Sequence, residues 1–231
     1  MAGGAGGTPL GTWILAAVAV ASATIAAFQS RLSRLLVRPR LRLEVNPEPP
    51  EFHHTLLVHP GSPGTAADAY YFNLRVRNTG NSRAEQVEVF VADVLERQTD
   101  GSFRRLTSFL PKNLLWSWTL KPFLEALSPG MVGFCTLGHV LDPQRRRDLP
   151  GEPLADAEEA RLAGRAAFSV AVQFPASKPF HILSPGTYQL VLWLAAGNAR
   201  KVETRLLLVL TGHWTMDEAR MLSEGVRIRV L

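Results

Sequence analysis

Only one cysteine, Cys135, occurs in the 231 residues. A single thiol builds neither an intrachain disulfide nor a multi-cysteine metal site. Its setting, "GMVGFCTLG", is apolar and strand-like, with no base and carboxylate in attendance, so it reads as a small buried hydrophobe. Acid is missing from the first 42 residues, which hold Arg31, Arg34, Arg38, Arg40 and Arg42. The rest of the chain carries 20 Lys+Arg against 20 Asp+Glu, so the whole excess of +5 sits in one short segment. Nucleic-acid domains spread basic residues along a face or helix. That class is therefore excluded despite a pI near 9.9.

The common catalytic signatures are missing as well. There is no G-x-G-x-x-G after a strand, no G-x-x-x-x-G-K-[ST], no G-x-S-x-G and no H-E-x-x-H. His139 lies three residues before Asp142, a spacing open to a base and its orienting carboxylate. No nucleophile stands near them, and Asp-Pro starts turns. His181 and His213 are single residues at strand ends. Adjacent His53 and His54 point to opposite faces of a strand, and neither they nor His59 are completed by Cys or carboxylate into a metal set. The expectation is a chain without catalytic residues, cofactor or metal.

What is present begins with "LGTWILAAVAVASATIAAF", residues 10–28, nineteen positions without charge. A helix of roughly 20 apolar residues crosses the hydrocarbon layer, and Trp13 suits the interface. A cleaved signal peptide starts with a positive region. Here the positive charges follow the run instead, which favours an uncleaved anchor. Arginines flanking a span stay on the cytoplasmic side. The expectation is a single-pass protein of the plasma (inner) membrane, with a short tail at 1–9 outside, a span at 10–28, a basic linker at 29–40 and a cytoplasmic domain at 41–231. The five arginines also suit anionic lipid head groups, worth about 1 kcal/mol each near the surface.

From Leu41 onward the pattern is that of strands. "LRLEV" alternates. The proline- and glycine-rich stretch 47–69 is a long connection with at most a short strand at "TLLV". "YYFNLRVRN", "QVEVFVADVLER", "MVGFCTLGHV", "AAFSVAVQF", "GTYQLVLWLAA" and "ETRLLLVLT" follow, separated by turns. Gly80 in "NTGNSR" is suited to positive φ, and "DGS" at 100–102 to a tight hairpin. A polar insertion at about 142–165 contains a short helix at 156–165. A second helix at about 215–224 has a capping box, Thr215 with Glu218, and Gly225 at its C-terminal end. Seven or eight such strands without a repeating helix predict an all-β, antiparallel β-sandwich.

Two stretches carry a resemblance. "FNLRVRNTGNSRAEQVEVFV" resembles the strand–turn–strand unit of bacterial immunoglobulin-like modules of the cell-adhesion-related type. "LSPGTYQLVLWLAAGNARKVETRLLLVL" is similar to their last hairpin. The resemblance implies an immunoglobulin-like sandwich with Tyr188 as its tyrosine corner. The middle, "SFLPKNLLWSWTLKPFLEALSPGMVGFCTLGHVLDP", resembles a bacterial family of membrane-anchored proteins and implies no activity.

In that middle, Trp116, Trp118 and Phe123 gather between Pro111 and Pro122. Aromatics this dense cap an open end of a sandwich core, anchor a protein interface or lie at a membrane surface. Strand alternation puts both tryptophans on one face. The expected function is a membrane-tethered interaction or scaffold module with a protein partner and the bilayer as its contacts. Two alternatives stand beside it: a subunit of a membrane-associated enzyme complex, and a sensor of anionic lipid.

Overall fold

The computed structural model describes residues 13–25, 38–58, 66–146, 160–172 and 181–231. The chain divides into two compact units, Met1–Arg38 and Pro39–Leu231. In the first, residues 13–25 are helical and every side chain is exposed. Among the described residues no helix is long and apolar enough to cross a membrane. The tail 1–9, both ends of the apolar run (10–12 and 26–28), Arg31 and Arg34 lie outside the described residues, as do His59 and 147–159 of the insertion.

The second unit is all-β. Its described strands are β1 (Leu41–Glu44), β2 (Phe52–Val58), β3 (Ala66–Asn78), β4 (Ala84–Arg97), β5 (Phe103–Arg105), β6 (Lys112–Asn113) and β7 (Leu115–Trp116). They continue as β8 (Phe123–Leu127), β9 (Val132–Leu141), β10 (Phe168–Val170), β11 (Ile182–Leu183), β12 (Gly186–Ala196), β13 (Ala199–Leu210) and β14 (Val226–Val230). One sheet runs β1-β3-β9-β10-β11, with β2 also on β3 and β7 also on β9. The other runs β14-β13-β12-β4-β5, with β6 and β8 also on β4. The pairings are antiparallel.

Period-two alternation builds the core between the sheets. Tyr70, Phe72, Leu74 and Val76 of β3 face Val87, Val89 and Val91 of β4 together with Leu190, Leu192 and Leu194 of β12. Each fully buried leucine or valine contributes about 2 kcal/mol. The phase shifts in β4 and in β9. In β4 the register against β12 skips Ala92, so the inward set continues at Val94. In β9 it skips Leu137, which is buried in the core together with Cys135. Such one-residue bulges turn a strand's faces locally.

Several local expectations give way to other devices. Gly80 does not take the left-handed backbone; among the described residues the left-handed glycines are Gly101, Gly130, Gly164 and Gly212. The β3–β4 turn is held by the wholly buried Asn78. Its Oδ1 accepts from Gly80 N at 3.0 Å and Arg40 N at 3.2 Å. Its Nδ2 donates to the carbonyls of Ser82 at 2.7 Å and Leu127 at 2.9 Å. All four bonding positions of one amide are thus used. "DGS" does turn a hairpin, but β5 returns for three residues only. The stretch after Pro50 is a full seven-residue strand, paired from Phe52 to Val58 along β3.

In the insertion, the described helical turn ends at Ala163 and Gly164, both left-handed. Near the C-terminus the helix starts later than Thr215. Asp217 is its cap, accepting from Arg220 N, and Glu218 reaches His54 N at 3.3 Å instead. An α-turn, Glu218–Arg220, runs into a π-turn, Met221–Gly225. Gly225 serves by smallness, since a Cβ there would stand 2.6 Å from the Met221 sulfur.

Candidate functional site

The aromatic segment divides among three places. Trp116 on β7 points inward and is 2% exposed. Its indole N–H donates to Val87 O on the other sheet at 3.1 Å, tying the two sheets together. Gly133 lies beneath the ring, where a Cβ would come within 2.7 Å of a ring carbon. Phe123 opens β8, half-buried and paired with Glu88 of the second sheet. Trp118 is 84% exposed.

The tryptophans do not share a face, because the chain is no longer a strand between them. Thr119 N and Leu120 N both donate to Trp116 O, at 3.2 and 2.8 Å, and Trp116 N donates to Lys121 O at 3.0 Å. Leu120 occupies the left-handed region at φ 53° to close this turn. The turn stands on the outer face of the first sheet, and Leu120 too is exposed.

A groove of about 540 Å³ lies against Trp118, lined by Pro49, Pro50, His53, Asn73, Ser117 and Phe134. Its polar floor is closed on itself. Asn73 Oδ1 accepts from Ser117 Oγ and from Thr136 Oγ1, each at 3.0 Å. Beside it, Glu51, 1% exposed, pairs with Arg75 and holds Asn46 Nδ2 at 3.4 Å. The Arg75 guanidinium lies 5.9 Å over the Phe134 ring. Its charge is thereby neutralised and partly covered, which leaves the groove apolar in character. His53 has Nδ1 2.9 Å from Pro50 O. Its ring stacks on Tyr71, which stacks in turn on His139, at 6.2 and 5.2 Å. Across Trp118 a second hollow of about 300 Å³ includes Leu124, Met131 and Val132.

The other sequence candidates do not converge here. Asp142 opens a turn, accepting from Gln144 N at 2.9 Å, while His139 is held in the ring stack. His54 faces the opposite way from His53 and meets Asp68 at 2.9 Å. His181 is buried at the start of the β10–β11 pairing, and His213 is exposed. Among the described residues no group of His, Cys, Asp or Glu is arranged to hold a metal. Burial pushes the Cys135 thiol well above its ordinary range, so it is no thiolate nucleophile. Arg40 and Arg42 are exposed at the start of the β unit. Tyr70, behind the stacked rings, is pushed up to about 12 by burial and then by the carboxylates of Glu218, Asp217 and Asp68.

Sequence reasoning missed the groove, since Pro49, Pro50, His53, Asn73 and Phe134 belong to separate stretches. One signal was available: Phe134, next to the inward Cys135, had to lie outward. No protein-family model matches the chain, and no curated protein does. Among the solved structures similar to it is the X-ray structure of Northeast Structural Genomics Consortium target SoR45, 8% identical, with a TM-score of 0.28, covering 77% of this chain and 92% of that one. Nothing about family or function follows from a likeness of that degree.

Proposed function

We propose that this chain is a membrane-tethered, non-catalytic interaction module whose immunoglobulin-like domain offers the Trp118 groove to a protein partner. The carrying observation is Trp118, 84% exposed beside an apolar groove of about 540 Å³. Large exposed aromatics next to preformed hollows are what binding hot spots are made of. Water leaves such a surface at a gain, and the turn that carries Trp118 is held by three backbone bonds, so little order is lost on binding.

The immunoglobulin-like reading rests on strand order. β1, β3 and β9 correspond to strands A, B and E, and β4, β12 and β13 to C, F and G. The Tyr188 hydroxyl donates to Ser184 O, four residues upstream, at 2.8 Å, as a tyrosine corner does. The extra edge pair β10–β11 departs from the simplest form. The tether is residues 10–28. Helical residues 13–25 expose Trp13, Ile14, Leu15, Val18, Val20 and Ile25, a surface that apolar surroundings would satisfy. Five arginines follow the run and none precedes it, which favours a cytoplasmic β domain.

The test is Trp118→Asp in the full chain. The melting temperature should stay within about 2 °C of wild type, as for an ordinary surface change. A protein that co-purifies from native membranes with the wild type should be lost. An unchanged set of co-purified proteins contradicts the reading. Loss of binding to anionic liposomes, with protein partners unchanged, would assign the face to lipid instead.

A further inference from the structure

The outer face of the second sheet carries a separate feature that the Trp118 groove does not involve. A hollow of about 380 Å³ is lined by Arg97, Arg227 and Arg229 over Leu207, Val209 and Phe103. Arg227 and Arg229 are alternate, exposed residues of β14, opposite Val209 and Leu207 of β13. The acids of this face are engaged elsewhere. Asp93 pairs with Arg105, Glu203 with Arg205 at 3.2 Å, and Asp100 accepts from Ser102 N and Oγ at 2.8 and 2.6 Å. Among the described residues, no carboxylate pairs with Arg97, Arg227 or Arg229. Three arginines thus line one hollow over an apolar floor, and among the described residues no side-chain carboxylate is paired with them.

β14 is also an edge. Among the described residues it pairs with β13 alone. Thr211 N donates to Gly225 O at 3.0 Å and Leu231 N to Arg205 O at 2.9 Å. The odd-numbered residues of β14 therefore bond toward β13, and in an antiparallel ladder the even-numbered ones bond the other way. The N–H of Val226 is used by Met221 O. The backbone groups of Ile228 and Val230 are left pointing along the edge.

We propose that β14 is a docking edge for an extended acidic segment of a partner protein, which adds as a further strand and sets carboxylates at alternate positions against Arg227 and Arg229. Strand addition satisfies the edge's hydrogen bonds, and side chains two residues apart read the pattern. Charged residues on an edge deter indiscriminate pairing. Arginines here reject basic or neutral strands and admit an acidic one, so the same residues that protect the edge select its occupant.

The probe is a fluorescein-labelled, end-capped peptide of alternating Glu and Val, titrated by anisotropy against the full chain in neutral detergent micelles. Its Gln–Val counterpart and a peptide N-methylated at alternate amides serve as comparisons. Binding of the Glu–Val peptide is expected, weakened at least about tenfold by Arg227→Glu with Arg229→Glu, by Gln for Glu, and by N-methylation. Arg227→Gln with Arg229→Gln gives an intermediate loss and guards against a folding artefact of the reversed pair. The proposal is overturned if the Glu–Val peptide does not bind or if charge reversal leaves its affinity unchanged. It is equally overturned if N-methylation has no effect, which would mean adsorption to a charged face without strand pairing. Phosphatidylserine vesicles that bind through these arginines while the peptide does not would overturn it too. None of these outcomes bears on Trp118, which is unchanged throughout.

Discussion

Asn78→Ala removes one buried side chain and four hydrogen bonds at once. The amide joins Arg40 ahead of β1, Gly80 and Ser82 in the β3–β4 turn, and Leu127 at the end of β8. Its own backbone adds bonds to Met131 O and Gly130 N that the substitution leaves in place. A net hydrogen bond contributes roughly 1 kcal/mol, and a buried group left without a partner costs more. Four bonds give a loss of about 4 kcal/mol, a large share of the 5–15 kcal/mol of an ordinary domain. For a domain of this size each kcal/mol moves the midpoint by roughly 2–4 °C, so the melting temperature should fall by about 8–16 °C. The assay is thermal and urea unfolding of the β unit, residues 39–231, for the wild type, Asn78→Ala and Asn78→Asp. The aspartate keeps the two acceptor bonds but turns a charge toward the Ser82 and Leu127 carbonyls, and should be at least as damaging as alanine. A loss below about 1 kcal/mol for Asn78→Ala would refute the view that this amide fastens the turn and the two strands beside it.

Trp116→Ala should cost about 3–5 kcal/mol, as emptying a buried aromatic site does. Gly133→Ala should destabilise the same corner by roughly 1–3 kcal/mol through overpacking against that ring, and both are read from urea midpoints. The contribution of Tyr70 to stability should be full below about pH 10 and lost as the pH rises toward about 12, because the unfolded chain ionises Tyr70 from its ordinary value of 10.0 while the folded chain holds it protonated to about 12. Burial raises Tyr188 in the same direction, so in a Tyr71→Phe variant, which leaves only these two tyrosines, absorbance at the tyrosinate band should rise in step with unfolding and not before it. Protease added to intact cells should leave the β domain uncut. Serine at the five arginines, with lysines added near Ala5, should raise the inverted fraction.

The long strands were legible because their alternation is enforced by a two-sided environment. β12 begins at Gly186 and ends at Ala196, the bounds of the apolar run in the sequence. β2 was hidden by its flanks, since prolines before it and glycines after it dominate any local reading. The position of Trp118 was misread because nothing marks Leu120 as the left-handed residue of the turn, a conformation leucine rarely adopts. Asn78 looked like an ordinary turn residue; only the folded chain brings Arg40 and Leu127 to it. Thr215 and Glu218 matched a capping box in spacing, but Asp217 lies nearer to the helix and takes the cap. The groove was illegible for a more general reason. Its walls come from β2, β3, β9 and the turn after β7, and local periodicity carries no information about which strands become neighbours.

The most direct measurement places a photo-crosslinking amino acid at position 118 of the full chain in native membranes, with the same group at position 203 on the other sheet as control. The account predicts a defined protein adduct from position 118 that is absent from position 203. Adducts to lipid alone, or the same products from both positions, would contradict it.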